Sequence, residues 1–358
     1  MASAAPPISP QQAAGPPALR VWSLHLLCFV LPATTLLFGL TAPHSWWVAL
    51  LFFAVPVLSV LADARGGPEQ QQPLATLPGW PFDSVLYALF ALQLLNLWLL
   101  VDMVASHGFW RVDTLIGWQL LGITAGYSGI VVAHEMMHRN HRLMKQLSRV
   151  LMSLVLYEHF LTEHLRGHHV RVGNADDPAT ARYGEHYQAF FRRTLPAQFR
   201  SAWQLEKSRV GSDWLRNRVV QGLVFEWALA LGALLFFGLG GFVFYLGQAF
   251  IAVRLLECVN FFEHWGLERR GARVSPQDSW DTNSRFTLYT LVGLSRHADH
   301  HAWAARPYQQ LRYWEESPKL PRGYFGMVVM AFARPGRFQK LMRAELERRQ
   351  LGPFAGPA

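Results

Sequence analysis

The chain has very little cysteine and few charged residues for its length. Only two of its 358 residues are cysteine, and charged residues make up 16%. Both cysteines, Cys28 and Cys258, fall in apolar stretches, which excludes a disulfide framework and a CxxC metal or redox motif. No glycine-rich dinucleotide fingerprint, haem motif or cysteine cluster is present to store electrons. Any redox chemistry of this chain therefore needs electrons from outside.

Long apolar runs are what the sequence has in abundance. Hydrophobic residues make up 51% of the chain, and several runs reach the roughly 20 residues that cross a bilayer core. Their length and number argue against the alternative, buried helices of a soluble protein. We predict an all-α, polytopic membrane protein with six transmembrane helices, near residues 21–41, 44–62, 82–104, 114–133, 219–238 and 241–260.

The two ends of the chain have a different composition from the runs between them. The first 20 residues are rich in Pro, Ala and Gln and carry no charge before Arg20. We expect a disordered tail at 1–20 rather than a signal peptide. The membrane domain is predicted at 21–337, and a C-terminal tail at 338–358.

Positive charge is concentrated in two segments of the chain. The net charge is +9, and 29 of the 33 Lys and Arg residues lie in 139–218 and 269–349. An excess of Lys and Arg marks the cytoplasmic side of a membrane protein. We therefore expect both segments and both termini to be cytoplasmic, with the chain in the inner (plasma) membrane. No aromatic-interleaved basic motif indicates nucleic acid.

Histidine is clustered rather than spread. Residues three or four apart share one face of a helix, so we expect His134 to converge with His138, and His164 with His168. The same spacing relates His297 to His300 and His301. Nine of the 15 histidines lie in HEMMH, HLRGHH, NFFEHWGL and RHADHH: His134, His138, His164, His168, His169, His264, His297, His300 and His301. We expect the other six to be ordinary: His25, His44, His107, His141, His159 and His186.

Nine histidines are too many for one metal ion. A transition metal takes four to six ligands, and imidazole suits Zn, Cu, Fe and Ni, so nine imply two ions. HEMMH also fits the HExxH pattern of zinc metalloproteases. A hydrolytic zinc site uses three protein ligands and one open position, which would leave six clustered histidines without a role. The excess of nitrogen ligands favours a redox pair of iron ions that binds and reduces oxygen.

Four acidic residues adjoin the histidine clusters: Glu135, Glu163, Glu263 and Asp299. Ligating histidines usually donate their second N–H to a carboxylate or carbonyl. We expect these four carboxylates to hold histidines in this way, with direct ligation by one of them as the alternative.

These motifs resemble those of the integral-membrane alkane monooxygenases, relatives of the membrane fatty-acid desaturases and hydroxylases. The resemblance runs from about Asp113 to Arg337. Three histidine boxes, here HEMMH, HLRGHH and HADHH in chain order, are shared by the whole superfamily. The segments EHLRGHHVRVGNADDPATAR, NFFEHWGL and LSRHADHHAWAARPYQQLR narrow the resemblance to the alkane monooxygenases. Departures include Met136 and Met137, where Leu-Gly is common in the family, and Gln277 and Asp278, where histidines are often found.

The resemblance implies a non-haem di-iron enzyme that uses O2 to convert a terminal C–H bond of a bilayer hydrocarbon into a primary alcohol. It implies electrons from rubredoxin, reduced by an NADH-dependent rubredoxin reductase. The alternatives are a fatty-acid desaturase or alkyl-aromatic hydroxylase of the same superfamily, or an intramembrane HExxH zinc protease. We expect an acidic electron carrier to dock on the basic face, where Arg306, Arg312, Lys319 and Arg322 follow the third box.

Overall fold

The computed structural model describes residues 18–74 and 77–356, and every named element in them is helical. Beyond the helices, these residues form two isolated β-bridges, Pro68 with Ser284 and Asp281 with Lys319. The prediction of an all-α protein is confirmed. Residues 1–17 of the predicted tail lie outside the described residues. Residues 18–20 belong to the first helix, which begins at Ala18, so the prediction of disorder is wrong for them.

The helices of the described residues are numbered α1 to α12 in chain order. They are α1 (Ala18–Thr41), α2 (Trp46–Arg65), α3 (Gly79–His107), α4 (Val112–His138), α5 (Arg142–Leu154), α6 (159–171), α7 (Tyr187–Val210), α8 (Arg218–His264), α9 (Arg285–Thr290), α10 (His297–Ala302), α11 (Tyr324–Ala333) and α12 (Pro335–Arg349). Two of them contain π-helical turns, Ala125–Ile130 in α4 and His164–His168 in α6. Short 3₁₀ turns lie at Leu26–Phe29 within α1 and, between or after the helices, at Trp214–Arg216, Pro276–Asp278, Tyr308–Gln310 and Gly352–Phe354.

Five helices of the described residues are long and apolar enough to cross a membrane: α1, α2, α3, α4 and α8. The first four coincide with the first four predicted spans. The predicted spans at 219–238 and 241–260 both lie in α8, which is interrupted at Gly238 by a non-helical backbone with φ 68° and ψ −174°. A positive φ of this kind is easy only for glycine.

The chain reverses direction at Gly238. Ala230 and Tyr245 pack into one buried cluster, although 15 residues of straight helix would separate them by about 22 Å. The two halves of α8 therefore lie side by side, as the predicted hairpin requires. The count of six membrane crossings itself stays a prediction.

The helix ends fall into two sets at opposite ends of the bundle. At one end, His44 of the α1–α2 connection donates from its backbone N–H to Asp113 of α4, 3.0 Å away. At the other end, Asp63 of α2 accepts hydrogen bonds from Ser284 and Thr287, in the segment that leads to the third histidine box. The long polar segments, 139–217 and 265–356, belong to this second end and cap the bundle there.

The outer surface of the long helices is apolar. Trp47, Leu51, Leu235 and Phe236 are exposed to 79%, 70%, 71% and 83%. Aromatic and aliphatic side chains so widely exposed on helices of this length suit contact with hydrocarbon, where a helix satisfies its own backbone groups. The chain is a multi-pass membrane protein.

The C-terminal helix α12 is part of the cap. Its residues Phe338, Met342 and Leu346 are buried in the main hydrophobic core. The predicted boundary between 337 and 338 therefore falls inside a packed helix rather than at the start of a tail.

Candidate metal centre

The nine clustered histidines meet at the capped end of the bundle, in two adjacent groups. In each group, every residue places a ring nitrogen within 4.8 Å of those of the others. Among the described residues, neither group includes any of the six histidines that we expect to be ordinary. The five-histidine group contains His134, His138, His164, His169 and His300, and the four-histidine group contains His168, His264, His297 and His301.

The pairing within the boxes differs from the one predicted. His164 and His168 fall in different groups, so the predicted convergence of this i, i+4 pair is wrong. Their segment is a π-helical turn, which closes from i to i+5. It therefore brings His164 to His169, and their Nε2 atoms lie 3.0 Å apart. His134 and His138 do share a group, as predicted.

The third box is divided between the groups as well. His297 and His301, four residues apart, belong to the four-histidine group, while His300 joins the five-histidine group. Helices α6 and α10 therefore each contribute to both groups, whereas α4 contributes to one and α8 to the other. The two groups touch, with the rings of His169 and His301 stacked at 4.3 Å.

The spacing of the ring nitrogens is compatible with their binding shared metal ions. The Nε2 atoms of His138 and His164 are 3.0 Å apart, and those of His264 and His297 are 3.1 Å apart. Two imidazole nitrogens that bind one divalent ion at about 2.1 Å stand about 3.0 Å apart when the bonds meet at a right angle. In addition, buried nitrogens such as Nε2 of His134 and Nε2 of His168 have no protein partner. The residues present therefore fit a metal centre.

The histidines outside the long spans are held in the neutral form that a metal ligand needs. The pKa of each of these imidazoles is well below its ordinary value, chiefly because the ring is buried and secondly because neighbouring imidazoles would repel its positive charge. This holds for His164, His169, His297, His300 and His301. A neutral imidazole keeps one nitrogen lone pair free for a cation.

Asp177 orients one of these histidines, and sequence reasoning missed it. Its Oδ2 lies 2.9 Å from Nδ1 of His168, and it also accepts a hydrogen bond from Thr180. Burial alone would raise the pKa of Asp177, but His168 and Thr180 outweigh it and lower that pKa. The carboxylate thus fixes the proton of His168 on Nδ1 and leaves Nε2 free to face the four-histidine group.

Three of the four predicted carboxylates bond to arginines instead of histidines. Glu135 accepts from Nε of Arg139 at 2.6 Å and Glu163 from Arg171 at 2.7 Å. Asp299 accepts from Nη1 of Arg306 at 2.5 Å. Within the described chain these three carboxylates bond to no histidine, so the predicted pairing is wrong for them.

The reason is helical geometry. Glu135, Glu163 and Asp299 are immediate chain neighbours of a clustered histidine, and adjacent residues on a helix do not face the same way. Glu263 is the exception, since its Oε2 lies 3.3 Å from Nε2 of His297 and its Oε1 accepts from the Tyr324 hydroxyl at 2.5 Å.

Gly167 of HLRGHH lies so close to two neighbouring side chains that a Cβ would not fit there. A Cβ on Gly167 would lie 2.5 Å from Oε1 of Glu163 and 2.6 Å from Nη2 of Arg171. Any side chain at this position would push apart the ion pair that packs beneath the π-helical turn. The box therefore needs glycine here for packing, in addition to its histidines for binding.

We expect Glu135→Gln to keep the metal and to lower activity by less than about tenfold. Outer partners of a ligand typically contribute about 10 to 100-fold, but Glu135 holds Arg139 and the backbone N–H of Tyr308 instead. The loss should appear mainly in the free energy of unfolding, by about 1 to 3 kcal/mol for the weakened buried contacts. Metal analysis, turnover and thermal unfolding in detergent test this, with exposed Glu268→Gln as the control. Loss of metal would show that Glu135 acts on the centre directly.

A narrow, mainly apolar cavity leads away from the histidines between α4 and α8. His134, His164 and His297 line its polar end, with Glu263 and Asn260 beside them. Its walls further along are apolar: Tyr127, Ile130, Val131, Phe160, Leu255, Leu256, Val259 and Leu294. From His134 back to Gly126, eight residues along α4, the cavity is about 12 Å deep. The π-helical turn Ala125–Ile130 forms part of its lining.

Two of the four basic residues after the third box are engaged inside the protein. Arg306 pairs with Asp299, and Lys319 lies 3.6 Å from Asp281. Changing the charge of either residue would break these pairs, so they are unsuitable for testing a surface role. By contrast, Arg142 and Lys145 of α5 are exposed and have no acidic partner in the described part of the chain.

Comparison with known proteins identifies the family. The family model for fatty acid desaturase matches residues 113–330. The chain is 35% identical to alkane 1-monooxygenase 1 of Pseudomonas aeruginosa, over 94% of this chain and 91% of the relative. It is 34% identical to alkane 1-monooxygenase 2 of Alcanivorax borkumensis, over 85% and 83%. The hydroxylase component of the Pseudomonas putida xylene/toluene monooxygenase is 24% identical, over 55% of each chain.

The alignment to the Pseudomonas aeruginosa relative covers nearly the whole chain, and the family model spans the histidine motifs and the cavity between α4 and α8. The similarity extends over most of both chains and exceeds what a shared metal motif alone would give. The protein therefore belongs to the fatty acid desaturase family and, within it, to the alkane 1-monooxygenases.

Proposed function

We propose that this protein hydroxylates a terminal C–H bond of an alkane to a primary alcohol, with O2 as co-substrate. A non-haem di-iron centre held by the five-histidine and four-histidine groups would supply oxygen activation. One oxygen atom enters the C–H bond, and two electrons and two protons convert the other into water. The protein residues bind and orient the hydrocarbon and keep bulk water from the reacting carbon.

One observation carries the proposal: two adjacent all-histidine groups stand at the polar end of a mainly apolar cavity. Imidazole nitrogens are suitable ligands for iron, which is a redox-active metal. The cavity offers no charged group to a substrate except Glu263 near the histidines, so the chemistry of its lining suits an unfunctionalised hydrocarbon chain. The alkane 1-monooxygenase relatives support the same reaction.

Turnover of a panel of substrates tests the proposal. Membranes containing the protein, supplied with rubredoxin, rubredoxin reductase and NADH, are given n-alkanes, fatty acids and alkylaromatics, and the metal is measured in the purified protein. A primary alcohol and about two irons per chain, one for each group, are expected. A double bond as product would identify a desaturase and overturn the proposal.

Two other outcomes would favour a different enzymatic activity. Preferred oxidation of an aromatic methyl group would favour the alkyl-aromatic hydroxylase, for which the xylene/toluene relative is the supporting observation. Zinc together with peptide cleavage would favour the HExxH protease. Its general base would be Glu135, but the carboxylate of Glu135 is held by Arg139 and by the backbone of Tyr308.

We expect Leu255→Trp to shorten the alkanes that the protein accepts. Leu255 lines the cavity near Gly126, where a Cβ on Gly126 would already approach it to 3.0 Å. A larger side chain there should leave the histidine end unchanged but exclude the far end of a long chain. Turnover of long alkanes should fall about tenfold relative to short ones, since a misfitting group in an apolar pocket changes specificity by this order.

The matched control is Leu235→Trp, the same change on the outer surface of α8, where Leu235 is 71% exposed. It should leave the chain-length profile unchanged. An unchanged profile in Leu255→Trp as well, with full metal content, would mean that the hydrocarbon does not use this cavity.

Electrons, we further propose, come from rubredoxin docked over the five-histidine group. His138 and His169 are only partly buried, and Val170 beside them is 61% exposed, so this group lies nearest the polar surface. Exposed Arg142 and Lys145 flank it along the chain. We propose an orientation in which the metal centre and both termini are cytoplasmic and the chain lies in the inner membrane; the positive-inside rule supports the cytoplasmic side.

Reversing the charge of Arg142 and Lys145 together should raise the carrier concentration needed for half-maximal turnover about tenfold at low salt. Complementary charge acts mainly on the rate of association, and salt screens it. The maximal rate should stay the same. Arg200→Glu with Lys207→Glu, two exposed residues of α7, is the control. Salt-independent turnover by the unmodified protein would rule out electrostatic docking.

A further inference from the structure

A second cleft of the protein lies between the end of α2 and helix α11. Its volume is about 460 Å³. Val60, Leu61 and Ala64 of α2 form one wall, and Val329, Met330 and Ala333 of α11 form the other. None of the residues that line it also lines the hydrocarbon cavity.

Three arginines surround this cleft: Arg322, Arg334 and Arg337. All three are exposed, and within the described residues no carboxylate lies within salt-bridge distance of any of them. Helix α12 begins at Pro335, between two of these arginines, and no side chain caps it. The partial positive charge of a helix N-terminus thus adds to the three guanidinium groups.

The single acidic side chain in the lining does not neutralise these arginines. Asp63 directs Oδ1 to the hydroxyl groups of Ser284 and Thr287 and Oδ2 to the backbone N–H of Gly326. Its carboxylate is therefore occupied by neutral donors on the inner side of the cleft, and the arginine side remains open to an anion.

The cleft also lies beside the surface that faces hydrocarbon. Val57, Leu58 and Leu61 on the last turns of α2 are 51%, 57% and 46% exposed. On α11, Val329 and Phe332 are 46% and 39% exposed. Because α2 is a membrane-spanning helix that ends at Arg65, the cleft stands where acyl chains give way to headgroups.

We propose that this cleft binds the phosphate of an anionic phospholipid, with the acyl chains lying along α2 and α11. Guanidinium groups bind phosphate oxygens with paired N–H donors, and the apolar walls suit the glycerol and upper acyl region. A zwitterionic lipid would bring a fourth cation to a site that already holds three. Such a lipid would join α2 to α11, which continues into the packed helix α12.

The test is lipid binding to the intact, detergent-purified protein, measured by native mass spectrometry with phosphatidylglycerol and with phosphatidylcholine. The unmodified protein should retain phosphatidylglycerol in preference. The triple variant Arg322→Gln, Arg334→Gln and Arg337→Gln should bind it about 100-fold more weakly, since each basic residue near an anionic lipid contributes about fivefold. The control triple, Arg200→Gln, Lys207→Gln and Arg273→Gln, removes the same charge from exposed, unpaired positions of the described chain and should change binding by less than about threefold.

A second variant tests the proposal independently, so that the test does not depend on correct folding of the triple variant. Ala333→Trp fills the cleft without changing its charge, and it should also weaken phosphatidylglycerol binding while the thermal unfolding temperature stays near that of the unmodified protein. Undiminished lipid binding in both variants would overturn the proposal. So would binding of inorganic phosphate as tight as that of phosphatidylglycerol, or loss of affinity for the acidic electron carrier alone.

Discussion

Replacing His264 with alanine should abolish hydroxylation and lower the metal content of the protein. His264 is fully buried, and its Nε2 lies 3.1 Å from that of His297 in the four-histidine group. Removing it leaves three imidazoles there, fewer than the four to six ligands that a redox transition metal takes. We expect no detectable alcohol and fewer metal ions per chain than in the unmodified protein, by product analysis and metal analysis of the same sample.

His186→Ala is the matched control for this experiment. His186 is an exposed histidine just before α7, and its Nδ1 lies 3.4 Å from the side-chain amide of Gln339. Its replacement should leave both metal and activity intact. His25 and His44 are poorer controls, because both are buried and contact aromatic rings, so their loss would disturb packing. Full activity in His264→Ala would remove NFFEHWGL from the metal centre.

Asp177→Asn should lower hydroxylation by about 10 to 100-fold, the range for residues that orient a metal ligand. Asp177 accepts the Nδ1 proton of His168. An asparagine that turns its amide N–H2 toward His168 would make Nδ1 the acceptor and move the proton to Nε2, the nitrogen that faces the other histidines. The same variant should bind metal more weakly, measured by dialysis against a chelator of known affinity.

Asp176→Asn is a control one residue away. Asp176 is exposed and makes no hydrogen bond in the described structure, so the same loss of charge should have little effect there. Equal losses in the two variants would indicate a general effect of charge. Normal metal affinity in Asp177→Asn would show that His168 holds its orientation without the carboxylate.

The nine histidines could be predicted from sequence because clustering depends only on the order of residues. How they divide between two groups could not. The i, i+4 rule assumes an α-helix, and the π-helical turn at His164–His168 replaces His168 by His169 as the partner of His164. Nothing in HLRGHH alone reveals that turn, although Gly167 is the residue that permits close packing beneath it.

The carboxylates also show that spacing along the chain does not predict which side chains meet in the folded protein. Proximity along the chain suggested Glu135, Glu163 and Asp299 as partners of histidine, but each lies next to a histidine on a helix and so faces elsewhere. Asp177, nine residues after His168, reaches it because the chain turns back between 172 and 180. Such a contact depends on tertiary structure, and residue spacing carries no signal for it.

The long helices were predictable because a hydrocarbon core sets their length. The first four predicted spans match helices, whereas the last two lie in the two halves of α8, between which the chain reverses direction at Gly238. The apolar run could not show where the backbone leaves the helix, since Gly238, Gly240 and Gly241 all permit it.

Under the proposed function, the position of the cavity between α4 and α8 would separate the route of the alkane from that of the electron carrier. A hydrocarbon that enters between membrane helices arrives by two-dimensional diffusion, whereas the electron carrier arrives from water in three dimensions. The concentration of alkane that the site meets is then its concentration in the bilayer, set by partitioning rather than by solubility. An apparent Michaelis constant expressed per litre of water would therefore change with the amount of membrane in the assay, while one expressed per mole of lipid would stay constant.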